Sequence, residues 1–268
     1  MEVPGVEYYR GMKETRLIMG MPIEIEIPDI DVAAKRTLEE VFAYLVSVDE
    51  QFSTYKETSE ISRINRGELP LDLASEEMKE VFAIAEKTKR ETNGYFDIFR
   101  PASHPAPGNV GGRIDPSGIV KGWAIRNTAG RIHAAGHENY FVNAGGDIAM
   151  HGKNTEGGEW SVGIRNPFNI HEVVKVVYPR GRGIATSGSY IRGDHIYNPH
   201  KPEEKIKEIV SITVIGPDVL EADRFATAAF AMGKDGIGFI ERLEGFEGYA
   251  IDAHGIATMT SGFEAYTR

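Results

Sequence analysis

Leu17-Ile18-Met19-Gly20-Met21-Pro22-Ile23-Glu24-Ile25-Glu26-Ile27-Pro28 is followed, after Asp29-Ile30-Asp31, by a run from Val32 to Phe52, and between the two the apolar period changes. In the first stretch Ile23, Ile25 and Ile27 alternate with Glu24 and Glu26, which predicts a half-buried strand from Leu17 to Ile27, closed by Pro28. In the second, Ala34, Leu38, Val41, Phe42, Leu45 and Val48 recur every three or four residues behind Asp29 and Asp31, which predicts an amphipathic helix. A second helix follows from Ser75 through Met78, Val81, Phe82 and Ala85 to a stop at Asn93-Gly94, and helical spacing returns from Ile119 to Ile132.

Further on the pattern shortens into strands at 140–143, 160–164, 173–178, 184–187, 209–215, 249–251 and 256–259, interrupted by helices at 222–232 and 236–243. Helices gathered early and strands gathered late predict an α+β fold with mixed, largely antiparallel sheets and flanking helices, not a doubly wound parallel sheet. With no repeat or low-complexity linker, residues 1–268 read as a single domain, two intimately packed α+β lobes being the alternative. The segment 98–118, with Pro101, Pro105, Pro107 and Pro116 among four glycines, is too broken for regular structure and predicts a long shaped loop, the kind of segment that often carries function.

Composition narrows the chemistry. The chain has 268 residues, 41% of them hydrophobic, as in soluble globular proteins. No cysteine is present, so disulfides, thiolate metal sites and cysteine nucleophiles are excluded, and any metal must use oxygen or imidazole. A formal charge of −10 opposes phosphate attraction and argues against nucleic acid as the main ligand. The start lacks the basic and apolar run of a signal peptide, and no apolar stretch is long enough for a membrane span. The expectation is a cytoplasmic chain, although an exported, trimmed form would read alike. Gly-x-Gly-x-x-Gly, His-Glu-x-x-His and Gly-x-Ser-x-Gly do not occur, and Gly146 to Lys153 misses the phosphate-loop spacing.

Five polar constellations remain. They are Phe52-Ser53-Thr54-Tyr55 with Ser59-Glu60-Ile61-Ser62-Arg63-Ile64-Asn65; Gly94-Tyr95-Phe96-Asp97; Asp115-Pro116-Ser117-Gly118-Ile119-Val120-Lys121-Gly122; Asn143-Ala144-Gly145-Gly146-Asp147; and Ala185-Thr186-Ser187-Gly188 with His195-Ile196-Tyr197-Asn198-Pro199 and Ala222-Asp223-Arg224-Phe225-Ala226-Thr227. Each has a plain structural reading: a capped turn, a helix stop, an N-cap with a solvated lysine, a glycine turn, a helix cap. Each also has a chemical one. A helix N-terminus at Gly118 with Lys121 one turn in suits an anion. Asp223 and Thr227 share a helix face, so a carboxylate and a hydroxyl can meet one hard cation.

In this order, from Met19-Gly20 to about Gly262, the segments resemble the ApbE family, the FAD:protein FMN transferases. The resemblance implies an enzyme that binds FAD as substrate with Mg²⁺, cleaves its pyrophosphate, and attaches FMN through a phosphoester bond to a Ser or Thr of an acceptor flavoprotein, releasing AMP. It implies an FAD site lined by Met19, Tyr55, Tyr95, Phe96, Asp97, Asp115, Lys121 and Ile196. It implies a metal site from the Gly118 carbonyl with Asp223 and Thr227, and His195 as the base that deprotonates the acceptor. An FAD pyrophosphatase yielding FMN and AMP, or a non-catalytic FAD-binding protein, are the alternatives. Three departures stand out: a shortened segment between Asp97 and Asp115, Asn198-Pro199-His200-Lys201-Pro202 in place of Asp-Pro-x-Thr-Gly, and Ala226 where some members carry a further acid.

Overall fold

The alternating run at the start forms a hairpin. In the computed structural model, which describes residues 11–100, 113–189 and 196–267, β1 (Met12–Ile18) pairs antiparallel with β2 (Met21–Ile27), Ile18 opposite Met21. Met19 and Gly20 between them both take positive φ, +53° and +71°, the two-residue turn whose twist matches the flanking strands. The strand expected from Leu17 is thus the end of β1, a turn and β2. A methionine in the left-handed region gives no compositional sign of a turn, which is why the period alone ran through it. Ile23, Ile25 and Ile27 are fully buried, while Lys13 on β1 pairs with Glu24 at 3.0 Å.

α1 (Val32–Phe52) starts where Asp31 accepts the Ala34 N–H at 2.7 Å, and it buries the predicted stripe. α2 (Glu60–Asn65), capped by Ser59, stands where a capped turn was read. α3 (Glu76–Glu91) is capped by Ser75 and gives way to Asn93 and Gly94 at φ +51° and +79°. β3 (Phe99–Arg100) and β4 (Arg113–Ile114) pair ahead of α4 (Ser117–Ala134). They make regular pairing inside a segment expected to hold none; residues 101–112 of that segment lie outside the described chain.

β5 (Tyr140–Ala144) and β6 (Asp147–His151) form the next hairpin. β6 is not legible from alternation because Asp147, Ile148, Ala149 and Met150 are all buried, as in a strand covered on both faces. β7 (Val162–Asn166) and β8 (Asn169–Val177) pair only with each other among the described residues. Then come β9 (Gly183–Gly188), β10 (Ile209–Gly216), α5 (Val219–Ala231), α6 (Gly236–Glu241), β11 (Glu247–Asp252) and β12 (Ala257–Met259).

Eight strands make one antiparallel sheet in the order β1-β2-β5-β6-β9-β10-β11-β12. The α+β expectation holds. α1 and α4 pack over the first strands through Phe42, Leu45 and Trp123, and α5 and α6 over the later ones through Phe225, Phe230 and Ile240. The opposite face of the later strands carries its own core around Trp160, Ile184 and Phe263. β6 meets β9 through the Ile148–Ile184 pair, and above this seam α4 lies against α5.

Arg224 ties α5 to α3. Only 2% exposed, it donates to both Glu221 oxygens, to Glu91 and, at 3.2 Å, to the Thr88 hydroxyl. Arg224→Met removes the charged hydrogen bonds to Glu91 and Glu221, whose carboxylates are 37% and 26% exposed and can turn to solvent, and we expect a loss of about 2 kcal/mol, the scale of hydrogen bonds to charged groups. Urea unfolding measures it.

Candidate active site

The N-terminus of α4 is built to be approached. Asp115 accepts the Ser117 N–H at 3.1 Å through Oδ1 and holds the Arg100 guanidinium at 3.0 Å through Oδ2. Arg100 reaches it because β3 pairs with β4, placing Arg100 opposite Arg113. At Gly118 a Cβ would stand 3.0 Å from the Phe96 ring and 3.7 Å from Thr227 Cγ2. The absent side chain therefore lets the first turn of α4, with its peptide groups, lie against α5.

A cavity of about 50 Å³ opens here, room for a few waters or one small anionic group. Tyr95, Phe96 and Asp97 line it from the turn after α3, Asp115 and Gly118 from the start of α4, and Thr227 from α5. Arg100, Ile196, Tyr197 and Pro199 complete it. Asp97 is held by Lys89 at 2.8 Å and by the Phe99 N–H at 2.9 Å. Tyr197 donates to the Phe99 carbonyl at 3.3 Å, and Arg100 lies over its ring. The altered loop is anchored too: His200 packs edge-on to Tyr95, ring centroids 4.5 Å apart, and its Nε2 lies 2.8 Å from the Asn93 carbonyl.

Behind the cavity wall three elements bring charge together. Lys121 Nζ from α4 lies 2.5 Å from Asp147 Oδ2 on β6 and 3.6 Å from Asp223 Oδ1 on α5. Asp147 Oδ1 accepts the Thr186 N–H at 3.1 Å, and Asp223 Oδ2 the Gly122 N–H at 2.9 Å. Both acids are buried. Asp147 follows Gly145 and Gly146, whose φ of +61° and +100° let β5 return into β6 at once. One turn beyond Asp223, Thr227 Oγ1 lies 3.4 Å from Ser187 Oγ. Asp223 is no helix cap: Asp218 takes that role, accepting the Glu221 N–H at 2.9 Å.

Two buried carboxyls against one ammonium leave an excess of negative charge that burial cannot sustain. Desolvation, opposed by Lys121 and aided by Asp147, pushes Asp223 up to about 8. The donors at hand are carboxylate, hydroxyl and peptide carbonyl, all hard oxygens, and the excess charge calls for a cation, so the residues fit Mg²⁺. Without a divalent ion, the folded chain binds a proton at Asp223 that the unfolded chain releases near 3.8. Stability in a chelator should therefore fall as pH rises from about 4 to about 8, and Asp223→Asn should flatten that slope. Urea midpoints across this range test the sign.

Of the residues expected at the site, Tyr95, Phe96, Asp97, Asp115, Gly118, Ile196 and Thr227 line the cavity, and Lys121 with Asp223 lies behind it. Met19 sits in the β1–β2 turn, and Tyr55, 73% exposed, in the α1–α2 connection; neither lines the cavity. His195 falls outside the described residues. Asp147, Tyr197 and Pro199 stand in the polar constellations without having been given a role at the site, and Arg100 was not singled out at all. Asp147 had a signal, an acid directly after paired glycines at a strand end, but Arg100 had none, because only the β3–β4 pairing delivers it.

A model of the ApbE family matches residues 19–102 and 107–250. Curated relatives include the FAD:protein FMN transferase of Haemophilus influenzae, 27% identical with 83% of each chain covered. That of Vibrio cholerae is 28% identical with 76% of each covered. Among solved structures, the flavin transferase ApbE of Vibrio cholerae superposes with a TM-score of 0.80 at 25% identity, covering 96% of this chain and 99% of that one. An ApbE protein of Thermotoga maritima gives 0.83 at 21% identity with the same coverage.

Proposed function

This chain belongs to the ApbE family, and on that premise we propose that it is a Mg²⁺-dependent FAD:protein FMN transferase that links FMN to a Ser or Thr hydroxyl of an acceptor flavoprotein and releases AMP. The observation that carries the reading is the convergence of Lys121, Asp147 and Asp223 directly behind a cavity lined by Gly118 and Thr227. Phosphoryl transfer demands positioning and charge neutralisation, and these residue types supply both.

In this reading the Gly118 carbonyl, Asp223 and Thr227 hold the cation, with Asp147 beside them. Mg²⁺, when bound, neutralises the pyrophosphate and polarises the phosphorus under attack. Lys121 keeps the two carboxyls from repelling each other and fixes their spacing. Asp115 and Arg100 shape the cavity floor, and Tyr95, Phe96, Asp97 and Ile196 contact the flavin dinucleotide, Met19 and Tyr55 joining them from the surface. The acceptor oxygen bonds to the FMN phosphorus as the bond from that phosphorus to the AMP oxygen breaks. His195, next in sequence to the cavity-lining Ile196, takes the hydroxyl proton, a role that imidazole as a side-chain type suits near neutral pH. Among the described residues no helix is long and apolar enough to cross a membrane.

Product partition tests the proposal. Chromatography of reactions with FAD and Mg²⁺ should show AMP rising in step with acceptor and little free FMN. Equal AMP and free FMN, indifferent to acceptor, would make the chain a pyrophosphatase instead; bound FAD with no AMP would make it a flavin-binding protein.

A further inference from the structure

α4 and β6 carry the site at one end and a second cluster at the other. Lys121 and Asp147 join their near ends at 2.5 Å. About 18 Å along α4, by its rise of 1.5 Å per residue, His133 stands beside His151, the last residue of β6, and Glu138 reaches between them from the α4–β5 connection. We propose that His133, Glu138 and His151 bind a zinc-class divalent transition cation that staples the far end of α4 to β6.

One donor atom from each of the three lies within 4.8 Å of the others. Glu138 Oε2 is 3.9 Å from His133 Nδ1, and the centroids of the two imidazole rings stand 5.3 Å apart. These gaps exceed the spacing within a filled coordination shell, but all three side chains are about half exposed or more and have room to close on an ion. His151 is already oriented. Its Nδ1 lies 2.7 Å from the Glu138 carbonyl, which can only accept, so that nitrogen carries the hydrogen and Nε2 keeps its lone pair. The Tyr140 ring stacks on His151 at 5.7 Å and meets His133 edge-on at 6.5 Å, giving both imidazoles a firm wall.

Two imidazoles and a carboxylate with open positions select borderline cations such as Zn²⁺ or Ni²⁺ and disfavour Mg²⁺, which prefers six oxygens. The cluster is thus chemically distinct from the oxygen-lined cavity. Because the ligands come from two elements that are otherwise tied at the opposite end, binding stabilises the native packing by mass action.

Calorimetric titration of the full chain with ZnCl₂ in excess Mg²⁺, together with thermal unfolding, tests the site. We expect the wild type to bind one Zn²⁺ more than His133→Ala/His151→Ala, and Zn²⁺ to raise its Tm but not that of the double variant. Glu138→Gln should weaken this binding at least tenfold. His151→Gln alone, which keeps the side chain's bulk, guards against a folding artefact and should also lose the extra ion. Equal Zn²⁺ stoichiometry and equal Tm shifts in wild type and variants would overturn the proposal, as would displacement of the ion by Mg²⁺.

Discussion

Asp223→Asn is expected to lower FMN transfer by a factor on the order of 10³, the scale seen when a group that stabilises transition-state charge is removed, while the chain stays folded. Asparagine matches the side chain's shape and keeps an oxygen to accept the Gly122 N–H, a bond of 2.9 Å in the native chain. What disappears is the negative charge, and with it the strongest donor to a divalent cation. The neutral side chain also removes a buried carboxyl that desolvation already strains toward its protonated form. In a chelator the variant should therefore be at least as stable as the native chain at pH 8. Loss of turnover with unchanged or raised urea stability identifies a functional acid; loss of both would mean that Asp223 serves the fold. Turnover equal to the native enzyme would remove Asp223 from the site.

Gly122→Ala carries the second large effect. A Cβ there would lie 2.9 Å from Asp223 Cβ, 3.0 Å from Asp223 Oδ2 and 3.0 Å from Leu220 Cα. Leu220 Cα is backbone and cannot swing aside, so α4 and α5 must separate by some tenths of an ångström at the point where they hold Lys121 and Asp223. We expect a stability loss of roughly 1–3 kcal/mol, as for other overpacked sites, and a fall in transfer rate larger than stability explains. Gly130 on the same helix is the control. A Cβ there meets nothing within 4 Å, so Gly130→Ala should gain about 0.5–1 kcal/mol from helix propensity alone and leave activity untouched.

These two sites show what the sequence made legible. Asp223 and Thr227 could be paired from spacing, because a helix places the fourth residue on over the first, and α5 covers both. Phe96, Asp97 and Asp115 were found through their ordered motifs and do meet around one cavity. The α1 stripe, the caps at Asp31 and Ser75 and the α+β class all follow from local rules, and the structure keeps them. The rest depends on contacts that local rules do not encode. Asp147 joins the site because β6 crosses under α4; Arg100 because two residues pair across a broken segment; the crossing at Gly122 because Leu220 and Asp223 arrive from another helix. β6 itself hid because burial on both faces erases the alternation that marks a strand. The Met19-Gly20 turn hid because a methionine occupies a conformation usually left to glycine.

The account turns on the acceptor, and its intact mass is the measurement to make. After incubation with the enzyme, FAD and Mg²⁺, an FMN-binding domain with an accessible Ser or Thr should gain the mass of one FMN less one water. The gain should be absent in a chelator and absent with Asp223→Asn. An acceptor of unchanged mass, in a reaction where AMP and free FMN accumulate, would contradict the account.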